Sequence, residues 1–171
     1  MKLIIINGTT GVGKSTVAEM LHKELPLSFL LDIDAQRRFI SEYKDNRKKS
    51  GELSFIVSRA IVEAYLNIGY DVIIDKIIVN TKTTLKKFIE LGNKYGAETY
   101  EFILNASKET VIERLNNRGY KSEGLLTVEK AEQFWHETQK YIDKNPDKII
   151  INTEGLIPTK VFQEIKKQIF N

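Results

Sequence analysis

The stretch Gly8-Thr9-Thr10-Gly11-Val12-Gly13-Lys14-Ser15 decides the fold, because it matches the pattern G-x-x-x-x-G-K-[ST] in the setting that the pattern requires. A β-branched apolar run at residues 2–7 precedes it, and a helical pattern at residues 14–25 follows. Glycines let successive backbone N–H groups turn inward around a phosphate, where a Cβ would obstruct the approach. The helix N-terminus adds a positive dipole end. We therefore predict a phosphate-binding loop between a buried strand and a helix.

The patterns outward from this loop alternate between strands and helices. Continuous apolar runs predict strands at residues 2–7, 28–33, 71–75, 98–104 and 147–152. Helical spacing predicts helices at residues 14–25, 34–43, 53–67, 81–95, 108–118 and 127–143, and a last helix from about residue 158. This alternation predicts an α/β fold in three layers, with about five parallel strands and helices on both faces.

Length and composition exclude several classes of protein. A chain of 171 residues suits one domain, so we expect a single domain over residues 1–171. The absence of cysteine excludes a disulfide scaffold, a thiolate zinc site and a cysteine nucleophile. The early apolar run is shorter than that of a signal peptide, and no later run is long enough for a membrane span, so we expect a cytoplasmic protein without membrane contact. The net charge of +3 is nearly balanced and predicts no partner by itself.

Polar residues that follow the predicted strands are the candidates for chemistry, because parallel sheets bind ligands at the carboxyl ends of their strands. Lys14 is placed to contact the β- and γ-phosphates of a nucleotide, and the Ser15 hydroxyl to ligate Mg²⁺. Asp75 ends the run Val-Ile-Ile-Asp and is the expected second metal ligand, with Asp71 at the other end of the strand as its rival. Lys76 could pair with Asp75 or face a substrate, and the sequence leaves both roles open.

The spacing Gly8-x-x-Gly11-x-Gly13-Lys14-Ser15-Thr16 resembles that of small nucleotide and metabolite kinases, whereas the N-K-x-D string of GTPases is absent. The resemblance covers most of the chain. It is closest to the P-loop kinase group that contains phage-type polynucleotide 5′-kinases and chloramphenicol phosphotransferase. It implies a P-loop NTPase fold of the nucleoside-monophosphate-kinase type, with ATP and Mg²⁺ as cofactors. It also implies that the nucleotide contacts come from Gly8, Thr9, Thr10, Gly11, Val12, Gly13, Lys14, Ser15 and Thr16.

Further stretches carry the same resemblance and extend it to the acceptor. Asp34-Ala-Gln-Arg37 looks like the D-x-x-R of polynucleotide kinases, which implies that Asp34 accepts the proton of the acceptor hydroxyl and that Arg37 contacts the acceptor's phosphate. Asp32 is the rival of Asp34, because the two would share one face of a continuing strand. We prefer Asp34, since it lies further toward the carboxyl end and has Arg37 as a partner.

A third stretch, Glu113-Arg114-Leu-Asn-Asn-Arg118-Gly119, looks like the helix that anchors the lid in these kinases. The resemblance implies that Arg114 and Arg118 clamp the transferring phosphoryl group, with a small lid around residues 119–126. Spacing alone places both arginines on one helix face, where two solvated cations are an equal alternative. The resemblance also places Thr153, after the last strand, beside the adenine.

Together these features predict a kinase that transfers the γ-phosphoryl group of ATP to a hydroxyl of a small-molecule acceptor. A polynucleotide or nucleotide kinase is the alternative, and a non-catalytic ATP-binding regulatory module is the alternative of another class. Acidic residues dilute the basic cluster at residues 37–49, and no aromatic platform interleaves it, so nucleic acid is possible but not favoured. The sequence names neither the acceptor nor the oligomeric state.

Overall fold

A computed structural model describes residues 1–75, 82–120 and 126–170. The ordered elements are β1 (Lys2–Gly8), α1 (Lys14–Glu24), β2 (Phe29–Asp32), α2 (Ile33–Arg37), α3 (Arg47–Asn67), β3 (Val72–Asp75), α4 (Lys82–Lys94), β4 (Glu98–Asn105), α5 (Lys108–Arg118), α6 (Val128–Asp143), β5 (Ile149–Asn152) and α7 (Pro158–Phe170). Lys76 and most of the predicted lid, residues 121–125, lie outside the described residues.

The five strands form one parallel sheet in the order β2-β3-β1-β4-β5. Side chains of β1 alternate between two cores: Ile4 and Ile6 join a cluster with α1 and α7, whereas Leu3 and Ile5 join a cluster with α3 and α4. This is why β1 reads as a continuous apolar run. The predicted three-layer α/β architecture with five parallel strands is confirmed.

The region between β2 and α3 differs from the prediction. The predicted helix at residues 34–43 is the five-residue α2, and α3 begins at Arg47 instead of residue 53. The buried face of α3 carries Ser50 and Ser54 near its start, and Ser54 Oγ donates to the Ile33 carbonyl at 2.7 Å. Because serines occupy the buried face at the start of α3, the sequence shows no apolar periodicity there. The predicted helix therefore begins about one and a half turns after the observed one.

No helix in the described part of the chain is long and apolar enough to cross a membrane.

Candidate active site

The loop between β1 and α1 is shaped by backbone that only glycine accommodates easily. Gly8 has φ +135°, and a Cβ at this position would lie 2.3 Å from the Leu104 carbonyl oxygen of β4. Gly13 has φ +93°, with open space where its side chain would be. Thr9 and Thr10 are buried, and Val12 packs into the core. The loop is therefore anchored against β4 and the core, and it is open to a ligand at Gly13.

Lys14 is the first residue of α1 and lies within the loop, with only 8% of its surface exposed. Its Nζ donates to the Thr9 carbonyl at 2.8 Å. Burial lowers the pKa of Lys14, and the negative charge of Asp75 opposes that effect. The Lys14 side chain is therefore held beside the open side of the loop. Because burial keeps water from stabilising the ammonium charge, an anion bound in the loop would stabilise it instead.

Asp75 ends β3 and is as buried as Lys14. Burial raises the pKa of Asp75, while Lys14 and a hydrogen bond with Ser15 oppose the rise. Asp71, its rival, lies at the other end of the strand, where its Oδ1 accepts from the Lys2 backbone N–H at 2.6 Å. Of the two, Asp75 alone is beside the loop.

Ser15 and Asp75 provide the hard oxygen ligands that Mg²⁺ prefers. Within residues 1–75, 82–120 and 126–170 no group of three or more His, Asp or Glu side chains could hold a metal ion. Mg²⁺ is commonly bound through one or two carboxylates together with substrate phosphates and water. The residues therefore fit a magnesium ion that arrives with a nucleotide.

One cavity joins the loop to the ends of β2 and β3. Its lining combines backbone N–H groups, two cations and three carboxylates, from Thr10, Gly11, Gly13, Lys14, Ser15, Thr16, Asp32, Asp34, Asp75 and Arg118. The parallel register explains the meeting of the carboxylates, because Asp32 pairs with Asp75 across β2 and β3. The loop, Lys14, Arg118 and the three carboxylates thus share one space.

Asp32 and Asp34 both line this cavity but stand in different local structure. Asp32 is the N-cap of α2, and its Oδ1 accepts from the backbone N–H groups of Asp34 and Ala35 at 2.9 Å each. Asp34 lies in the first helical turn and is exposed. The premise that both share one face of a continuing strand is wrong, because the strand ends at Asp32. One carboxylate is engaged in capping, and the other is not used for it.

Arg37 does not line the cavity. Its Nε donates to Ser50 Oγ at 3.0 Å, and a terminal nitrogen donates to the Arg47 carbonyl. The guanidinium therefore ties α2 to the first turn of α3. Arg37 was predicted to bind the acceptor, but it does not lie in the cavity with the other predicted site residues.

The two arginines of α5 serve different places, although they are four residues apart. Arg118 lines the cavity, with a terminal nitrogen 3.4 Å from Thr10 Oγ1. Arg114 instead donates to Thr153 Oγ1 at 3.0 Å and to the Thr153 carbonyl at 2.7 Å. Thr153 is buried, and its N–H donates to the Asn105 carbonyl at 2.7 Å. Arg114 thus joins α5 to the end of the sheet, while Arg118 faces the loop.

Asn7 is a positioning residue that the sequence analysis missed. Its Oδ1 accepts from the Gly8 backbone N–H at 2.7 Å, and its Nδ2 donates to Glu101 Oε1 at 3.1 Å. Glu101 is buried in β4, where it also accepts from the Tyr141 hydroxyl and lies 3.3 Å from Lys148 Nζ. The available signal was a polar residue at the end of an otherwise apolar strand.

Comparisons with known proteins agree with this geometry. The family model described as "AAA domain" matches residues 3–137. A Pyrococcus furiosus protein named "Putative adenylate kinase" is 27% identical over 166 residues, which cover 95% of this chain and 81% of that protein. The solved structure of the Deinococcus radiodurans tunicamycin resistance protein has 20% identity and a TM-score of 0.67, covering 99% of this chain and 96% of the other.

The solved structure of deoxyadenosine kinase from M. mycoides has 21% identity and a TM-score of 0.60, covering 98% of this chain and 97% of the other. At these identities the two structures establish the fold alone, which is the P-loop kinase type. The family match and the relative from P. furiosus support a nucleotide-binding phosphotransferase of the nucleotide or small-molecule kinase class.

Proposed function

The chain belongs to the AAA domain family, and from that premise we propose that it transfers the γ-phosphoryl group of ATP to a hydroxyl of a small-molecule acceptor. One observation carries the proposal. The cavity that holds the phosphate-binding loop, Lys14 and Arg118 also contains an exposed carboxylate, Asp34, that no helix cap uses. A kinase needs a group that orients the acceptor hydroxyl, and a carboxylate in this cavity supports that role for Asp34.

In this proposal the loop supplies binding and charge. Backbone N–H groups of residues 9–13 and the Lys14 ammonium bind the phosphates, and Ser15 and Asp75 hold Mg²⁺. When bound, Mg²⁺ neutralises charge that develops on the phosphate oxygens. Arg118 lies beside Thr10 and adds a positive charge at the open side of the loop. These groups stabilise a transition state in which charge spreads over the transferred group.

Asp34 orients the acceptor hydroxyl and takes its proton. In phosphoryl transfer the attacking hydroxyl loses its proton late, so orientation is the larger part of that role. Arg114 acts through Thr153 and shapes the side of the site after β5, where the adenine is expected. The sequence resemblance implied one shared role for the two arginines. We propose two different roles, with Arg118 on the phosphates and Arg114 on the adenine side.

Two features favour an acceptor without its own phosphate. Arg37, the cation expected to bind an acceptor phosphate, is engaged by the Arg47 carbonyl and Ser50. The acceptor side of the cavity, as far as its lining is described, is formed by Asp32 and Asp34, and two carboxylates repel a phosphate. A hydroxyl compound that is neutral or cationic fits this side better.

A nucleotide kinase is the second candidate, because the relative from P. furiosus is named for adenylate kinase. That activity requires a nucleoside monophosphate as acceptor and a cation for its phosphate. Arg37 would supply the cation only after it leaves Ser50. The two candidates therefore differ in whether Arg37 must leave Ser50 and the Arg47 carbonyl when the acceptor binds.

The test is ADP release from ATP and Mg²⁺ with three groups of acceptors: uncharged and cationic hydroxyl compounds, nucleoside monophosphates, and oligonucleotides with a 5′-hydroxyl. We expect stimulation by members of the first group. Stimulation confined to nucleotides or oligonucleotides would replace the small-molecule acceptor by the second candidate or by a polynucleotide kinase. ATP binding without acceptor-dependent turnover in any group would support a regulatory module instead.

A further inference from the structure

The 21-residue helix α3 carries apolar residues on its exposed face as well as on its buried face. Its buried face begins with Ser50, Ser54 and Ser58. Its exposed face carries a row of apolar side chains at helical spacing, which we call the α3 stripe: Leu53, Ile56, Val57, Ala60, Ala64 and Ile68. Exposed side chains on a helix are normally polar. A stripe of this length on a chain with 29% charged residues indicates a surface that another molecule covers.

The sizes of the side chains in the α3 stripe indicate what covers it. The bulky residues Leu53, Ile56 and Val57 occupy the first half of the stripe, and the small residues Ala60 and Ala64 follow them before Ile68 at its end. Two copies of α3 placed antiparallel about Ala60 bring Ile56 and Val57 of one helix against Ala64 of the other. Side chains of one helix then fill the grooves of its partner. A parallel arrangement would oppose bulky to bulky and small to small, leaving gaps.

The charges at the ends of α3 indicate the same arrangement. Its first residues are Arg47, Lys48 and Lys49, and its first turn has no acidic residue, while its last turn has no basic residue. Cations at the N-terminus and none at the C-terminus oppose the helix dipole. In an antiparallel pair, the cations of each copy lie near the negative C-terminal end of the other copy, where they become favourable. An isologous contact of this kind is the commonest symmetry of homo-oligomers.

We propose that the α3 stripe is the interface of a homodimer in which two copies of α3 pack antiparallel about a twofold axis near Ala60. Residues 53–68 span about 22 Å of helix, with a width of about 10 Å. That footprint of about 220 Å² is roughly a quarter of the 800 Å² per partner of a standard interface, so we expect a weak and reversible dimer.

The first experiment measures mass against concentration by sedimentation equilibrium from about 1 to 500 μM, which brackets the micromolar dissociation constant of a small interface. We expect a monomer–dimer equilibrium for the wild type. Ile56→Glu should weaken the dimer at least about 10-fold, since a carboxylate is buried at the centre of the contact. Ile157→Glu is the matched control, because Ile56 and Ile157 are both isoleucines with 62% exposure, and it should dimerise like the wild type.

Circular dichroism of each variant verifies the fold, and Ala60→Arg provides a second disruption at the axis. A wild-type protein that stays monomeric to 500 μM would overturn the proposal. A dimer that Ile56→Glu and Ala60→Arg leave intact would overturn it equally. These outcomes are independent of kinase activity, so they do not depend on the proposed function.

The second experiment determines the orientation, and the absence of native cysteine makes it clean. Ala60→Cys should form an intermolecular disulfide on mild oxidation, because residue 60 faces its own copy at the axis, within the short Cα separation that a disulfide needs. Leu53→Cys should not link to itself, but it should link to Asn67→Cys when the two variants are mixed. Efficient linkage of Leu53→Cys to itself would show a different arrangement and overturn the antiparallel dimer.

Discussion

The two halves of the cavity are built differently. The proposed phosphate half combines the loop between β1 and α1 with Lys14 of α1, Asp75 of β3 and Arg118 of α5, and Lys14 and Asp75 are both only 8% exposed. The acceptor half rests on α2, a five-residue helix whose carboxylates Asp32 and Asp34 are exposed. The first half is set by the sheet and core, whereas the second depends on side-chain hydrogen bonds between α2 and α3.

The two halves therefore differ in how easily a ligand or a substitution displaces them. Close-packed interiors resist displacement, so the geometry around the phosphates changes little from one ligand to another. A short exposed helix held by two or three hydrogen bonds is easier to reposition. Substitutions in the phosphate half should therefore affect every reaction of the protein, and substitutions in the acceptor half should affect mainly the choice and placement of the acceptor.

The largest expected effect is that of Lys14→Ala. We expect turnover to fall by about 10³-fold or more and ATP binding to weaken, because the ammonium contacts the phosphates throughout the reaction. The measurement is steady-state ADP release together with calorimetric ATP binding. Lys23→Ala, an exposed lysine of the same helix, is the control and should leave both unchanged. A Lys14→Ala variant that turns over at the wild-type rate contradicts the kinase proposal.

Asp34→Asn tests the acceptor half and should lower transfer by about 10²–10⁴-fold while ATP still binds. Asn retains the shape of the side chain and removes its ability to take a proton. Asp32→Asn should cost much less, because asparagine also caps helix N-termini. Asp45→Asn, at an exposed position on the neighbouring turn, controls for the loss of one charge. If Asp32→Asn proves the more damaging of the two, Asp32 is the residue that engages the acceptor.

The arginines of α5 sharpen the comparison within the phosphate half. Arg118→Ala should lower kcat by about 10²-fold, since Arg118 lines the cavity beside the loop. Arg114→Ala should chiefly raise the KM for ATP, because Arg114 holds Thr153 and does not line the cavity. Kinetics with ATP varied at saturating acceptor separate the two effects. A fall in kcat for Arg114→Ala with unchanged KM would return Arg114 to the transferring phosphoryl group.

The smallest effect is expected for Arg37→Ala. With a neutral acceptor, the acceptor KM and its salt dependence should stay unchanged, while the free energy of unfolding falls by about 1 kcal/mol from the lost hydrogen bonds to α3. Ser50→Ala removes the bond from Arg37 and also the bond from Ser50 to the Tyr43 carbonyl, so its loss should be at least as large. Chemical denaturation and acceptor kinetics at two salt concentrations measure both. A raised acceptor KM with a flatter salt dependence would instead indicate an acceptor that carries a phosphate.

Several parts of this molecule were predictable because their cause is local. The apolar run of β1, the glycines at positions 8 and 13, and the serine after Lys14 follow each other in the chain, so their meeting needs no tertiary information. Parallel strands also bring their carboxyl ends to one edge of the sheet, and for that reason Asp75 lies beside the loop and Asp71 does not. The start of α3 was not predictable in this way, because Ser50 and Ser54 are buried through hydrogen bonds and not through apolar contacts.

By itself the sequence determined the α/β alternation, the five parallel strands and the phosphate-binding loop, since these depend on periodicity and on consecutive residues. Only the tertiary structure decided that Asp32 caps α2 and that Arg37 binds α3. It also decided that Arg114 and Arg118 bind different partners. Spacing along a helix fixes which residues share a face, but it does not fix which carbonyl or hydroxyl a long side chain reaches. For Arg114 the partner is Thr153, 39 residues further along the chain, and only folding brings the two together.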